Sequence, residues 1–508
     1  MYPSKSKNTL KKSVLGAFFV VLALNGCENE QPKKKQSDNT TDLNVSVTQP
    51  VDRDYNKIKK SGVIRMITRY NSNTYFLQQG MERGFEYELL RQFAKTHNLT
   101  VEVVIIQKND NPYDMLNSGK GDVIAANYTI TPEREKYVDF TRPYNIVDQV
   151  VAFSDDMDNP PQNLEDLSDI TISVRRNSSY YHRLMELKKQ GYDLNVNLVS
   201  DDMDTESLLY EVMQGKYEAT VADDNIFKAA SKYMGGLMEG PKIARNDTIA
   251  WAVRKNATKL QDEMNQFLYK HFRPGGPNEQ PKRSALLNIL MHRYFEEGPQ
   301  IADYYNPESQ FTNAGILSPY DHLIKSVADS AGIDWKMLTA IVAQESKFNP
   351  NSKSWAGAIG LMQILPRFTD TNDVSKLYDP KTNLQAGVKV LEEHLHHYSY
   401  LDTTNRWQFA LAAYNAGQGH VADARRLAID LNKNPNNWDN VADALLKLMQ
   451  RKYYQNARYG FCRGIETVRY VREIMNRYET YQTILALAEK RQGNSNNMQG
   501  VLGIKMFN

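Results

Sequence analysis

The chain is poor in the features that make several protein classes legible at once. It has two cysteines in 508 residues, Cys27 and Cys462, and neither stands in a Cys/His spacing suited to a metal ion, so no metal and no other cofactor is expected. Basic and acidic side chains nearly cancel, 62 against 60, which removes any global argument for a nucleic-acid partner, and none is predicted. Long hydrophobic runs are missing too. The stretch Val14 to Leu24 is too short to cross a bilayer as a mature helix. There is no internal repeat and no extended heptad pattern.

What that short run does have is a basic flank, Lys5, Lys7, Lys11 and Lys12, and an ending in Leu24-Asn25-Gly26-Cys27. A charged start followed by a short apolar core is the pattern of a signal peptide. The ending resembles a bacterial lipobox, which implies Cys27 as a lipidated first residue of the mature chain; an uncleaved anchor is the alternative, since Asn25 departs from the usual small residue. If Cys27 is acylated, Cys462 has no cysteine left to pair with. Glu28, where an Asp would favour inner-membrane retention, points to the outer membrane and its periplasmic face. Residues 28–54 are polar and include Lys33-Lys34-Lys35, the composition of a flexible tether.

The most informative residue is Glu345. Between Asp334 and Pro350, Leu338, Ile341 and Val342 fall on one helical face, and Glu345 occupies the next inward position. Burial there disfavours the charged carboxylate and raises its pKa toward the range of a general acid. A helix-end Glu held by a backbone or Arg partner is the bland alternative. The small-residue loop Ala356-Gly357-Ala358-Ile359-Gly360-Leu361-Met362-Gln363 allows close backbone approach to a ligand and ends in an amide. Trp407, Ala410, Leu411 and Tyr414 repeat the inward helical spacing before Asn415-Ala416-Gly417, a polar end with a capping glycine.

Taken in order, Glu345-Ser346, Gly360-Leu361-Met362-Gln363, Asn383-Leu384-Gln385-Ala386-Gly387, Ala413-Tyr414-Asn415-Ala416-Gly417 and Glu466-Thr467-Val468-Arg469-Tyr470-Val471 resemble the soluble-lytic-transglycosylase family over roughly residues 318 to 480. The resemblance implies a mainly α, lysozyme-like fold acting on peptidoglycan glycan strands. It implies Glu345 as the acid that cleaves the MurNAc-GlcNAc β-1,4 bond with formation of a 1,6-anhydromuramyl end. It further implies that Ser346 supports the acid, that Met362, Gln363 and Tyr414 line the sugar site, and that Asn415 and Tyr470 bind substrate. Most glycosidases need two carboxylates. The candidates for a second, Asp334, Asp370, Asp373 and Asp379, sit in contexts that read as a helix cap and turns, so one-acid chemistry is expected.

Such a unit does not account for the whole chain. From Gly62, β-like and helical runs alternate: Val63 to Thr68, Tyr87 to His97, Val101 to Ile106, Tyr113 to Ser118 and Asp122 to Ala126, the pattern of an α/β layer fold with parallel strands. Gly121-Asp122-Val123-Ile124-Ala125-Ala126-Asn127-Tyr128-Thr129-Ile130-Thr131-Pro132-Glu133-Arg134 and Val138-Asp139-Phe140-Thr141-Arg142-Pro143-Tyr144 resemble family 3 of the bacterial extracellular solute-binding proteins over roughly 55 to 270. This implies a two-lobed, periplasmic-binding-protein-like domain whose paired hinge strands are Val147 to Phe153 and Ile249 to Val253. It implies Asn127, Thr129 and Arg134 on a ligand carboxylate, Asp223 on its ammonium and Ser178 lining the second lobe. Asn127 and Asn177-Ser178-Ser179 depart from the amino-acid-binding pattern. The ligand therefore stays open among an amino acid, a peptide and a muropeptide fragment, with a degenerate packing site beside them.

The expected layout is a signal peptide and lipobox at 1–27, a tether at 28–54, a solute-binding-like domain at 55–275, a connection at 276–315, a catalytic domain at 316–490 and a mobile tail at 491–508. The lead function is a peptidoglycan lytic transglycosylase modulated by a ligand of its N-terminal domain. A hydrolytic muramidase and a noncatalytic solute- or wall-binding lipoprotein are the alternatives.

Overall fold

The computed structural model describes residue 43 and residues 45–201, 203–276, 280–296, 315–369 and 373–502. Cys27, the signal peptide and most of the expected tether lie outside these residues.

The N-terminal domain is built on one mixed sheet. Its strands are β1 (Val63–Thr68), β4 (Thr100–Ile105), β5 (Val123–Thr129), β6 (Asp139–Phe140), β7 (Asn145–Ser154), β8 (Thr171–Arg175), β9 (Asn195–Val199), β10 (Ala219–Asp223) and β11 (Leu237–Val253), while β2 (Phe76–Gln78) and β3 (Met81–Arg83) form a separate hairpin. The order is β4-β1-β5-β11-β7-β10-β8-β9, with β6 added beside β11. The first lobe pairs β1 in parallel with β4 and β5, and the second pairs β8 in parallel with β9 and β10. Between them run β7 and β11, antiparallel to each other with Asn145 opposite Ile249. These are the two crossing strands expected from the sequence. The strands are apolar on both faces, as a sheet covered by helices requires, and Val123, Ala125, Val150, Ala152, Trp251 and Val253 have no exposed surface.

Three boundaries differ from expectation. The tether does not run to residue 54, because Leu43 is buried and Asp114 accepts from the backbone N–H groups of Ser46 and Val47 at 2.8 and 2.6 Å. Arg53 closes onto Asp122 at 2.9 Å, and Arg65 and Arg254 share the same wholly buried carboxylate. Burial alone would raise the Asp122 pKa; the Arg65 and Arg53 guanidiniums more than offset it and leave the acid below its ordinary value. Composition marked this segment as polar, but a few apolar residues and one arginine were enough to dock it.

The connection expected at 276–315 is not all linker. Its helix Ala285–Met291 continues as a π-helical turn, His292–Glu296, which packs on the first lobe. Tyr294 donates to Glu88 at 2.7 Å and accepts from the Gly84 N–H at 3.0 Å, while Phe295 lies 5.3 Å from the Phe85 ring. Aromatic side chains recruited it to the domain core. The tail predicted from residue 491 is also altered, since the last helix runs unbroken from Gly464 to Leu502.

The C-terminal domain is helical throughout. The Trp335–Ser346 helix crosses its centre, with Leu338, Ile341 and Val342 fully buried, against the start of the Gly464–Leu502 helix and the Asp321–Ala331 helix. The Pro380–His397, Thr403–Ala416, Gln418–Asp430 and Trp438–Lys447 helices enclose it. The two domains meet directly. Gly80, at the tip of the β2–β3 hairpin, lies so close to the Phe348 ring that a Cβ there would stand 2.2 Å from it.

Candidate functional sites

The Trp335–Ser346 helix ends abruptly, one residue after Glu345. Lys347 and Phe348 both adopt left-handed backbone angles, φ 53° and 62°, which non-glycine residues rarely take. Phe348 is buried, so packing holds the strained turn in place and ends the helix at the acid.

Glu345 is partly exposed, and burial of its carboxyl pushes its pKa up to about 7. The opposing influence is a hydrogen bond from the Tyr470 hydroxyl to Glu345 Oε1 at 2.5 Å, which lowers it. Tyr470 is itself buried, and its hydroxyl is pushed well above its usual range by burial and by the neighbouring Glu345. Among the described residues, no second carboxylate contributes to the Glu345 shift. Asp334 caps the opposite end of the same helix by accepting from the Lys336 N–H at 2.9 Å, about 16 Å of helix away. Asp379 caps the Pro380–His397 helix and Asp373 caps a short turn, both by accepting backbone N–H groups. Asp370 lies outside the described residues.

The loop opposite is organised by Asn383, which the sequence offers only as the first residue of a motif. Asn383 is fully buried; its Nδ2 donates to the carbonyls of Ile359 and Leu377 at 2.8 Å, and its Oδ1 accepts from the Met362 N–H at 2.8 Å. Gly360 has φ +81°, and a Cβ there would stand 2.2 Å from Asn383 Nδ2, so the loop demands glycine. Gln363 has φ 51°, and its Nε2 donates to the Ser352 and Gly360 carbonyls at 3.2 and 3.0 Å.

Two expected contacts are corrected by this geometry. Met362 is wholly buried and packed on Gly387, where a Cβ would stand 2.3 Å from its sulfur. Its side chain is core, and its carbonyl serves the site by accepting from the Tyr414 hydroxyl at 2.8 Å. The Ser346 hydroxyl donates to the Val342 carbonyl at 3.3 Å, bonding back to its own helix rather than supporting Glu345. Tyr414 stands near the acid, its hydroxyl raised by burial and then by the Glu345 charge. Asn415 is exposed at the helix end and accepts from the Thr467 hydroxyl at 2.9 Å. Thr467 was missed, although it lies one turn before Tyr470 on the same helical face.

The second cleft lies between the lobes of the N-terminal domain and encloses a cavity of about 70 Å³. Arg134 donates to the Thr129 carbonyl at 2.8 Å and its guanidinium lies 4.5 Å from the Tyr128 ring, yet its Nε is buried without a hydrogen-bond partner among the described residues. On the other lobe, burial pushes the Asp223 carboxyl up to about 7, and its Oδ1 is likewise buried and unpartnered among the described residues.

Asn127 does not face a ligand carboxylate as expected. Its Nδ2 donates to Asp223 Oδ2 at 2.7 Å across the lobes, and its backbone, at φ 55°, donates to Glu86 Oε1 at 2.8 Å. Thr129 donates to Ser179 at 3.2 Å. Ser178 caps the Ser179–Lys189 helix, accepting from the Tyr181 N–H and donating to the Arg175 carbonyl at 2.7 Å. The sequence reading missed Glu86 and Glu206. Glu86 is a buried acid whose pKa is raised by burial against bonds from Tyr144 and Trp251, and Glu206 accepts from Ser72 and Asn73 on the facing lobe.

Comparison with known proteins places both halves. Residues 64–275 match the bacterial extracellular solute-binding proteins, family 3, and residues 322–437 match the Transglycosylase SLT domain. The chain is 32% identical to membrane-bound lytic murein transglycosylase F of Desulfosudis oleivorans over 83% of its own length and 90% of that protein's. Proteins of the same name from Pseudomonas putida and Aeromonas hydrophila are 32% and 30% identical over 83% and 86% of the chain, and 85% of each of theirs. The chain belongs to the membrane-bound lytic murein transglycosylase F family. Among the described residues, no helix is long and apolar enough to cross a membrane.

Proposed function

We propose that the chain is a peptidoglycan lytic transglycosylase that cleaves between N-acetylmuramic acid and N-acetylglucosamine and leaves a 1,6-anhydromuramyl end. The observation that carries this reading is Glu345 at about 7, raised by burial and bonded by Tyr470, with no second carboxylate among the described residues contributing to its shift. A protonated acid near neutral pH donates to the glycosidic oxygen as its bond to C1 breaks. The same group, now a carboxylate, takes the proton of the muramyl C6 hydroxyl as that oxygen bonds to C1. The acid is regenerated, the leaving sugar keeps the first proton, and no water is consumed. The substrate's own N-acetyl group stabilises the cationic centre in place of a second carboxylate. Gln363 and Asn415 contact the sugar, and Tyr414 and Tyr470 shape the wall around the acid.

The N-terminal cleft, in this reading, takes a ligand bearing a carboxylate and an ammonium, an amino acid or a peptide, for the buried Arg134 Nε and Asp223 Oδ1 are an orphan donor and acceptor on its two walls. Its occupancy modulates access to Glu345 by favouring one lobe arrangement. Cys27 carries a lipid that holds the protein at the periplasmic face of the outer membrane.

The test is mass spectrometry of fragments released from purified sacculi by the protein lacking residues 1–27 and by its Glu345→Gln variant. Anhydromuramyl ends from the parent alone support the reading. Reducing ends would identify a hydrolytic muramidase, and release by neither protein would favour a binding lipoprotein.

A further inference from the structure

A cavity of about 500 Å³ lies between the domains, separate from the solute cleft. The N-terminal domain contributes the β2–β3 hairpin, β4 and the Phe85–Thr96 helix; the catalytic domain contributes the C-terminal end of the Glu345 helix and the face of the last helix that bears Arg469 and Glu473. Its acids are already engaged. Glu82 accepts from the Tyr75 and Tyr87 hydroxyls at 3.1 and 3.0 Å and stands 3.6 Å from Arg477. Glu102 stands 3.7 Å from Arg472, and Glu473 accepts from Gln344 at 2.8 Å.

Four other cations line the same space: Arg91, Lys95, Lys347 and Arg469. None forms an ion pair among the described residues. A lone surface cation is ordinary, solvated and without meaning. Four around one cavity, two of them one turn apart on a single helix face, repel one another and favour an anion between them. Their placement is specific as well. Lys347 is fixed by its left-handed backbone two residues after Glu345, Gln344 immediately precedes the acid, and Arg469 immediately precedes Tyr470.

The glycan itself offers no matching charge, because its sugars are neutral and the lactyl group of a substituted muramic acid is an amide. The carboxylates of peptidoglycan sit on the peptide. We propose that this interdomain cavity is a peptide subsite, binding the carboxylates of a stem peptide carried by the strand being cut. This inference rests on the peptidoglycan reading above and adds a second contact with substrate, built partly from the N-terminal domain.

The experiment compares turnover on peptide-bearing strands with turnover on the same strands stripped of peptide charge by amidation of their carboxylates, for the parent and for Arg91→Ala/Lys95→Ala. Both substituted residues are exposed and lie outside the two clefts. The parent prefers the strand with free carboxylates; the double variant loses about threefold to tenfold of that preference while its rate on amidated strands stays at the parent's. Arg91→Glu/Lys95→Glu lowers the preference further. If preference is unchanged but the double variant binds free stem tripeptide more weakly, the site stands and its occupant is released peptide. Equal preference and equal tripeptide binding in parent and variants would overturn the site. A parent inert on both substrates would instead contradict the peptidoglycan reading itself.

Discussion

The two clefts each hold a carboxyl pushed up to about 7, and they reach that value in different company. Asp223 lies in a site with Arg69, Arg134 and Arg175 on one account and Asp204 and Glu206 on the other, and it is tied across the lobes by Asn127. Glu345 has a single hydroxyl on it and, among the described residues, no ionic neighbour that shifts it. An acid surrounded by fixed charges is suited to recognising a charged ligand. One left nearly alone in a buried setting keeps its proton for transfer. Similar shifts in one chain thus fit the two roles proposed for these acids through their different surroundings.

The sharpest way to break this contrast is at the acid. Glu345→Gln should lower turnover of sacculi by about 10²- to 10⁴-fold, the range of a lost general acid, measured by release of soluble fragments. A variant retaining parental activity would remove Glu345 from the chemistry. Next comes the scaffold facing it: Asn383→Ala leaves the Leu377 carbonyl and the Met362 N–H without the side chain that pairs them and leaves the Ile359 carbonyl only its bond from the Ile364 N–H, and should destabilise the C-terminal domain by about 3 kcal/mol in denaturant unfolding.

Tyr470→Phe tests the partner. Its hydroxyl lowers the Glu345 pKa, so removing it should move the high-pH limb of turnover upward and reduce the rate about tenfold. A limb that stays put would deny the coupling.

The protonation argument also predicts stability. Glu345 has an ordinary value of 4.5 and a folded value of about 7, so the fold favours its neutral form. The stabilising contribution is complete below the ordinary value and is lost as pH rises through the folded one. Glu345→Gln, neutral throughout, should therefore raise the melting temperature at about pH 8 and leave it little changed at about pH 4. The smallest effect belongs to the other cleft. A ligand ammonium meeting Asp223 would draw its pKa down from about 7, releasing a fraction of a proton that calorimetry in buffers of different ionisation enthalpy detects.

Much of this architecture was legible from the residues. The alternation after Gly62 marked the sheet, and the inward position of Glu345 on its helix face anticipated a raised acid. The motif order brought Tyr470 into the expected site as a substrate-binding residue, while its bond to Glu345 came from the fold. What escaped depends on contacts distant in sequence. Nothing local to Arg53 announces Asp122, 69 positions away, so a segment that reads as tether docks on the sheet. Met362 and Gln363 are adjacent in a motif, yet packing against Gly387 buries the first and leaves the second partly exposed. Asn127 was assigned to a ligand because its motif position suggested one, whereas its left-handed backbone aims the side chain at Asp223. Glu86 and Glu206 each lie on a helix whose polar and apolar faces the sequence alone did not assign to a cleft.

The central claim is that a lone acid performs a reaction without water. It is tested most directly by digesting sacculi in water enriched in heavy oxygen and weighing the new muramyl ends. Unlabelled anhydromuramyl ends are the predicted result. Ends that carry one heavy oxygen, formed at the parental rate, would mean that water attacks C1 and would contradict the account.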